Sequence, residues 1–459
     1  MRQGQRSKPK EKLFAGWRGA DFALPAFIFF ALVLGGATAE GAFANLTLQL
    51  AAIAIIAVYL ARRAIDPDAA PIPLALKILI SVAFGWPLLQ LIPLPPGLWH
   101  ALPGRGTIAA NDALLGMPSV WRPISYQPNQ TIADLFAMLV PLAAFVLARH
   151  ASDKGRWAAI GTIMVVALIS SLLGIVQIAQ GPGGQAYFYD VTNDNTSVGF
   201  FSNSNHLSTL FLVAAACALT FPPNPTGESG KSVLAMRVVR IALLAFFLLN
   251  VALNRSLAGS AIALLFVAYA ALRATLTLPL RWRTIAIAVG AVFFAGIVGF
   301  LVSAPGRALV DAVTLNSTDP SIRLTFYHNT VAMFRETFPF GSGLGSFRWA
   351  YAGHERMQAV TNVYANHAHS DYLELASDLG VIGPLLLIGF AGWFVVTIVR
   401  GRGLPRYAET AAVAIVMVAL HSIVDYPART AALASVVGLC VALMLRWPVP
   451  PPAPPATLD

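Results

Sequence analysis

The segment NHAHSDYLELASDLG, residues 366–380, brings two histidines and three acidic residues together in a chain that is 57% hydrophobic and only 11% charged. His367, His369, Asp371 and Glu374 lie close together within it. Imidazole and carboxylate groups at this spacing can bind a metal ion, transfer protons or cap a helix. Chemistry is therefore expected first in this segment.

The residue types leave all three roles open. Histidine and carboxylate are good ligands for zinc or manganese, but H-x-H-x-D is a short pattern and neither HExxH nor CxxC accompanies it. Histidine titrates near neutrality, which suits a general base. Ser370 can also cap a short helix with an acidic first turn that ends at Gly380, in which case the polarity is structural.

Two arginines add an anion-binding possibility. Arg255 stands in the short connection LNRSLAGS. Arg323 lies near the start of a predicted helix that has Asp319 as its N-cap and Pro320 at its first position. Guanidinium presents a planar fork of donors that fits phosphate or carboxylate. For Arg255, extension into the lipid headgroups is the alternative.

Two further motifs place polar groups at the ends of apolar runs. GFFSNSNHLSTLF contains Asn205 and His206, and LHSIVDYPART contains His421 and Asp425. The last two are four positions apart, so a hydrogen bond between them is feasible on a helix. Ionisable groups in membrane segments are costly and are candidates for function. A structural pair that joins two helices is the alternative.

The elements that position these residues are long apolar runs. A helix needs about 20 apolar residues to cross a bilayer. We therefore expect an all-α polytopic membrane protein with about 12 transmembrane helices, centred near residues 30, 52, 83, 140, 168, 213, 246, 265, 293, 390, 418 and 438.

The distribution of basic residues predicts the orientation. With the N-terminus in the cytoplasm, most of the 31 Lys and Arg residues fall in inner segments, as the positive-inside rule requires. The predicted organisation is a basic cytoplasmic N-terminus (1–21), a transmembrane domain (22–446) and a proline-rich cytoplasmic tail (447–459). A large, partly helical outer loop (304–380) lies between spans 9 and 10, and loops of this length are usually functional.

Several protein classes are disfavoured. The net charge of +10 is explained by orientation in the bilayer, and no aromatic and basic surface predicts a nucleic-acid partner. The inner loops are too short for a nucleotide-using domain. Cys217 and Cys440 both fall in apolar runs, so they are expected to be core residues and not a disulfide framework.

Six motifs in a fixed order carry a resemblance to a known family. They are QLIPLPPGLW, GFFSNSNHLSTLF, NRSLAGS, SIRLTFYHNTVAMFRETFPFGSGLGSF, NHAHSDYLELASDLGVIG and HSIVDYP. Together with the large outer loop, they resemble the O-antigen ligase and O-antigen polymerase family of bacterial membrane glycosyltransferases.

The resemblance implies an inverting, metal-independent glycosyltransferase without a cofactor, in the bacterial inner membrane. Both termini would be cytoplasmic, and the active site would be periplasmic. The donor would be a glycan on undecaprenyl diphosphate. The acceptor would be a lipid A-core sugar or a growing O-antigen or exopolysaccharide chain. Diphosphate is a good leaving group, so charge neutralisation and positioning of the acceptor are the main tasks.

The resemblance also assigns roles to residues. It implies that His369, Arg323 and Arg255 are catalytic. The residues expected to contact substrate are His367, Asn205, His206, Tyr372, His421 and Asp425. An alternative is a transporter or flippase of an anionic lipid-linked substrate. That alternative predicts charges midway through several spans, and spans 5, 9 and 10 have no charged residue at their centres.

Overall fold

A computed structural model describes residues 18–38, 41–65, 72–194, 196–220, 230–254, 256–276, 279, 283–284, 320–355, 365–401 and 404–445. These residues form helices and connecting turns without a β-strand, apart from an isolated bridge between Leu94 and Arg122. The all-α expectation is confirmed for this part of the chain. Residues 1–17, the span expected near residue 293 and the tail 447–459 lie outside the described residues.

The described helices, in chain order, are α1 (Gly19–Leu34), α2 (Ala42–Ile65), α3 (Leu74–Gln90), α4 (Pro96–His100), α5 (Gly106–Leu114), α6 (Pro128–Ala137), α7 (Leu139–His150), α8 (Asp153–Gln180), α9 (Ser204–Thr220), α10 (Gly230–Leu253), α11 (Leu257–Thr275), α12 (Pro320–Thr337), α13 (Phe347–Ala352), α14 (Asp371–Leu379), α15 (Ile382–Val399), α16 (Arg406–His421) and α17 (Ala431–Leu443). A short 3-10 turn, Pro427–Arg429, separates the last two.

Several of these helices are suited to a bilayer. Six candidate spans among the described residues are long and apolar enough to cross a membrane, and four further helices are apolar but shorter. Eleven of the twelve expected centres fall inside a described helix. The helical form satisfies the backbone hydrogen bonds internally, as hydrocarbon requires. The total of twelve spans stays a prediction.

The core consists of central helices that approach one another closely. α7 packs against α17, α1 against α8, and α9 against α10 and α16. A Cβ atom on Gly438 of α17 would lie 2.1 Å from the carbonyl oxygen of Pro141 in α7. Glycine is therefore needed at this crossing, since small residues allow close packing of membrane helices. Cys217 and Cys440 are buried free thiols, as expected.

Polar ends of several helices meet at one end of the bundle. The side-chain amide of Asn254, after α10, donates to the carbonyl oxygen of Ser204 at the start of α9 (2.6 Å). The backbone N–H of Asp371, at the start of α14, donates to the carbonyl oxygen of Ser422 after α16 (3.1 Å). The first contact joins α10 to α9, and the second joins α14 to the turn after α16.

The described part of the predicted outer loop is partly helical. α12 begins at Pro320 and ends at Thr337, close to the expected bounds, and α14 is followed by Gly380 with a φ of 62°. Ser370 stands at the N-cap position of α14, but its hydroxyl donates to the carbonyl oxygen of Ser422 (3.4 Å) and does not cap the helix. The intervals 304–319 and 356–364 lie outside the described residues.

The glycine-rich turn after α12 joins three segments. Gly343 has a φ of 107°, and a Cβ atom there would lie 2.3 Å from Oγ of Ser125. The buried side chain of Gln90 donates to the carbonyl oxygens of Phe340 and Asp378, both at 3.0 Å. The turn therefore locks the end of α3 to the end of α14.

Candidate functional site

The centre of the polar end is the buried carboxylate of Asp425, which is 1% exposed. It lies in the turn after α16, where its backbone N–H donates to the carbonyl oxygen of His421 (3.0 Å). The backbone N–H of Tyr426 donates to Oδ1 (3.0 Å), and the side-chain amide of Asn203 donates to Oδ2 (3.5 Å). The turn thus fixes a carboxylate at the edge of the bundle.

Three histidines surround this carboxylate. Nδ1 of His369 lies 3.5 Å from Oδ1 of Asp425, and Nε2 of His206 lies 4.0 Å from the same atom. His421 is one turn earlier in the chain. Burial would raise the pKa of Asp425, but the neighbouring histidines outweigh that effect and hold it well below its usual range. We call Asp425, His206, His369 and His421 the histidine cluster.

Several polar atoms here have no hydrogen-bond partner among the described residues. They are Nδ1 of His369, both ring nitrogens of His206, Nε2 of His421 and Nε of Arg323. The other ring nitrogen of His421, Nδ1, lies 2.8 Å from Oγ1 of Thr209. The imidazole of His421 makes no hydrogen bond to the carboxylate of Asp425. Buried polar groups are normally paired, so this concentration of unpaired atoms marks where a polar ligand or water would fit.

His369 is held in an unusual backbone conformation. Its φ is 52°, the one positive value for a residue other than glycine in the described chain. The hydroxyl of Tyr327 in α12 donates to the carbonyl oxygen of His369 (3.0 Å), and the ring of Phe326 stacks on the imidazole at 5.8 Å. Such conformations cost free energy and persist where surrounding contacts impose them. Helix α12 therefore fixes the orientation of His369.

Arg323 lies one turn before Tyr327 on the same helix. Its charge acts on both Tyr327 and His421. Helix α12 thus brings Arg323 to the histidine cluster, although the chain separates it from His369 by more than forty positions. Arg255, the other arginine assigned from the resemblance, lies outside the described residues.

His367 has a different environment from its neighbour. Its Nδ1 lies 2.8 Å from Oε1 of Glu374, and its Nε2 lies 2.9 Å from Oγ1 of Thr38. Both ring nitrogens are therefore engaged within the chain, and the ring packs against Tyr426 at 4.2 Å. A substrate-binding role for His367 stays a prediction. In this geometry the side chain links α14 to the segment after α1.

Two other residues expected to bind substrate make contacts within the fold. The hydroxyl of Tyr372 donates to the carbonyl oxygen of Ala419 (2.6 Å) and so ties α14 to α16. Asn205 is half-buried, and its backbone N–H donates to the side-chain oxygen of Asn203 (2.8 Å) at the start of α9. Asn205 lies next to the histidine cluster in the chain, whereas the Tyr372 hydroxyl is occupied by the backbone.

A second polar group lies beside the histidine cluster and involves a pairing that the sequence reasoning missed. Arg429 lies with Nη1 3.1 Å from Oε1 of Glu374, Nη2 3.4 Å from Oδ2 of Asp378 and Nε 3.7 Å from Oδ1 of Asp371. We call these four residues the arginine cage. A signal was present, because acids at 371, 374 and 378 share one helix face, and a buried acidic face requires a cation.

The cage contains three carboxyl groups and one guanidinium. Burial and the charges of these neighbours shift the pKa values of all four groups. Burial raises the pKa of Asp378 to about 8 and that of Asp371 to about 6. For Glu374, burial would raise the pKa, but Arg429 and His367 lower it below its usual range. The three carboxyls raise the pKa of Arg429 despite its burial. Near neutral pH, therefore, Asp378 holds its proton while Glu374 is ionised.

The metal interpretation of the HAH segment lacks a supporting geometry. Among the residues that the structure describes, no group of three or more His, Cys, Asp or Glu side chains is arranged to hold a metal ion. His367 pairs with Glu374, and His369 faces Asp425. Oδ2 of Asp371 accepts a hydrogen bond from Ser422 (2.7 Å). The candidate ligands are thus engaged in separate pairs.

The arrangement can combine a base with an anion-binding group. With Nδ1 of His369 facing the Asp425 carboxylate, Nε2 is the nitrogen left for a hydroxyl group of a substrate. A carboxylate behind a histidine stabilises the imidazolium that forms when the ring accepts a proton. Arg323 adds a permanent positive charge for a phosphate group. This chemistry suits transfer to a hydroxyl from a phosphorylated donor.

Comparison with known families agrees with this chemistry. The family model described as O-antigen ligase matches residues 241–388. The match is shorter than half of the chain, includes Arg323 and His369, and ends before Asp425. No curated protein matches the chain. The match confirms the resemblance to the O-antigen ligase family. It supports a multi-pass membrane enzyme of ligase or polymerase type that uses a lipid-linked glycan and an acceptor glycan.

Proposed function

We propose that this protein is an inverting, metal-independent glycosyltransferase that moves a glycan from undecaprenyl diphosphate to an acceptor sugar on the periplasmic face of the inner membrane. The observation that carries the proposal is the histidine cluster. It places His369 against a buried carboxylate, with Arg323 nearby, at the end of the bundle where helices α9, α12, α14 and α16 meet.

His369 is the proposed general base. Nε2 accepts the proton of the acceptor hydroxyl while the acceptor oxygen forms a bond to the anomeric carbon. The bond from that carbon to the diphosphate oxygen breaks at the same time. Attack opposite to the leaving group inverts the anomeric centre. Asp425 stabilises the resulting imidazolium, and positioned base catalysis contributes about 100- to 10,000-fold in rate.

Arg323 and, in this proposal, Arg255 neutralise the charge that develops on the departing diphosphate. Preorganised positive groups are effective here because they need no rearrangement during the reaction. The donor already has a good leaving group, so no protein nucleophile is required. The mechanism also differs from glycoside hydrolysis, in which two carboxylates usually act.

The sidedness is supported by the two ends of α16. Its first residue, Arg406, belongs to the arginine-rich end of the bundle, and His421 ends the same helix within the histidine cluster. Because inner segments are enriched in Lys and Arg, the site is proposed to lie at the outer surface. A lipid-linked donor presents its glycan and diphosphate at that surface.

Reconstitution tests the function directly. Purified protein in liposomes receives a lipid-diphosphate glycan and either a lipid A-core acceptor or a second lipid-linked glycan. We expect transfer to one of these acceptors, with inversion at the anomeric centre, and the acceptor that is used distinguishes a ligase from a polymerase. Arg323→Lys should be impaired, because ammonium keeps the charge but loses the planar fork.

The same assay tests metal independence. We expect activity to persist in EDTA. Loss of transfer in EDTA that one divalent metal restores would overturn that part of the proposal, and failure to transfer to either acceptor would overturn the function.

A further inference from the structure

An apolar groove lies along α16. It has a volume of about 600 Å³ and is bounded by α11, α15, α16 and α17. Its α16 wall extends from Arg406 to Leu420, and Phe266, Ile398 and Val416 line it. Among the described residues, the other lining side chains are apolar except for Tyr269, Arg406 and Glu409, which lie at one end. The groove therefore has an apolar length and a polar mouth.

The mouth is built around Glu409. The hydroxyl of Tyr269 donates to Oε1 of Glu409 (2.8 Å), and Nη2 of Arg273 donates to Oε2 (2.9 Å). Glu409 is the one acidic residue among the described residues that line the groove. Its charge is therefore balanced by Arg273, and it does not offset the other arginines at this end of the bundle.

Further positive charge surrounds the mouth. Arg406 lines the groove at its polar end. Arg240 on α10 lies close enough to Arg406, Arg273 and Arg237 for their charges to act on it. Glu409 is bound by Arg273, so Arg406 supplies the positive charge among the described residues that line the groove. Like charges held together favour an anion between them.

We propose that this groove binds an anionic phospholipid, with one acyl chain along α16 and the phosphate group at Arg406. Shape and charge both support this occupant. Burial of an acyl chain gives little preference by itself, because the bilayer is as apolar as the groove. Selectivity must therefore come from the headgroup, where each nearby arginine contributes about 1 kcal/mol, equivalent to about five-fold in affinity.

The geometry separates this ligand from the proposed glycan donor. A donor in the histidine cluster has its diphosphate beside His421, at the last residue of α16, whereas the groove has its charged mouth at Arg406, the first residue. One lipid cannot place its phosphate at both ends. The proposed site does not depend on the transferase activity, and the two can fail separately.

Native mass spectrometry of the full-length protein tests the proposal. Protein in detergent is titrated with phosphatidylglycerol or phosphatidylcholine of the same acyl composition, and bound lipid is counted. We expect retention of phosphatidylglycerol over phosphatidylcholine and weaker retention at high salt. Arg406→Gln should weaken binding of phosphatidylglycerol about five-fold.

Matched variants distinguish the contribution of the arginine charge to lipid binding from that of the groove shape. Arg335→Gln removes the same charge from an exposed site on α12 and should retain the lipid as wild type does. Val416→Trp fills the groove without altering charge and should displace the lipid, whereas Val395→Trp, on exposed α15 surface outside the groove, should not.

Circular dichroism verifies that each variant is folded, so a loss of binding is not a loss of structure. Equal retention of the two lipids, or wild-type binding by both Arg406→Gln and Val416→Trp, would overturn the proposal. Transfer activity measured in parallel shows whether the catalytic proposal stands regardless.

Discussion

The histidine cluster and the arginine cage are neighbours with opposite degrees of pairing. Asp425 and Arg429 stand four positions apart. Asp425, Glu374 and Asp378 are buried, and the side chains of His369 and Arg429 are 20% and 15% exposed. In the cage, the guanidinium of Arg429 lies 3.1 to 3.7 Å from three carboxyl groups. In the cluster, ring nitrogens of three histidines make no hydrogen bond to the described residues, although those of His369 and His206 lie 3.5 and 4.0 Å from Asp425. Similar residue types thus form two different kinds of polar site.

This difference indicates that the arginine cage supports the fold and that the histidine cluster is the site of chemistry. A paired buried network holds its elements in one arrangement, and the cage joins α14 to the turn before α17. Unpaired buried groups are costly, so a fold retains them where a ligand or water completes them. We therefore expect substitutions in the cage to change stability first and substitutions in the cluster to change activity first.

The largest expected effect is on transfer activity, and it should differ between the neighbouring histidines His369 and His367. His369→Ala should reduce transfer about 100- to 10,000-fold, because the general base is lost, with little change in Tm. His367→Ala should instead lower Tm, because its ring pairs with Glu374 and Thr38. Single-turnover transfer and thermal unfolding of both purified variants measure this contrast. Near-normal transfer by His369→Ala would remove it from the mechanism.

Arg429→Met should have the next largest effect, and on stability. It leaves three buried carboxyl groups without their cation, and breaking a buried ion pair typically costs about 3–5 kcal/mol. Arg429→Lys should recover part of the loss, because it restores charge without the fork. Thermal unfolding in detergent measures the series. An unchanged Tm in Arg429→Met would show that the cage is not a support.

A smaller effect should appear in the pH dependence of stability. Burial raises the pKa of Asp378 to about 8, so the folded protein keeps this proton at pH values where the unfolded chain, with a pKa near 4, has lost it. Stability should therefore fall as pH rises from about 4 to 8. Relative to Asp378→Asn, wild type should gain Tm between pH 8 and pH 6. A parallel pH profile in both proteins would contradict this assignment.

The smallest expected effect concerns the support of His369. Tyr327→Phe removes one hydrogen bond to the carbonyl oxygen of His369, a loss of about 0.5–1.5 kcal/mol. We expect a several-fold decrease in turnover with little change in donor KM, because the donor-binding arginine remains. Phe326→Leu, which removes the stacked ring, provides a second variant on the same support. Full activity in both variants would show that α12 does not position the imidazole.

The sequence predicted the helices better than the side-chain pairings. Apolar runs of span length are strong signals, which explains why α8 and α15 appear where expected. Motif order brought His369, Arg323 and Asp425 into one hypothesis. The partners of His367 and His369 could not be distinguished, because they depend on a left-handed backbone at His369 and on contacts from distant helices.

The partners of Arg429 also could not be predicted from the sequence. The spacing of the acidic residues on α14 predicts that they share one helix face. The arginine that pairs with them lies in a turn about fifty positions later. Periodicity reports which side chains share a face of a helix, and it does not report which loop covers that face. The hydrogen bond expected as feasible between His421 and Asp425 failed similarly, because Thr209 on α9 takes the nitrogen.

The burial of both native thiols has a practical consequence. Cys217 and Cys440 are 1% and 4% exposed, so a water-soluble maleimide has little access to either in the folded protein. The wild-type chain is thus a low-background parent for single-site thiol labelling. Trp349, which is 58% exposed on α13 beside α12, is a suitable position for one introduced cysteine. Modification of that cysteine in intact cells or inverted vesicles reports which compartment the histidine cluster faces.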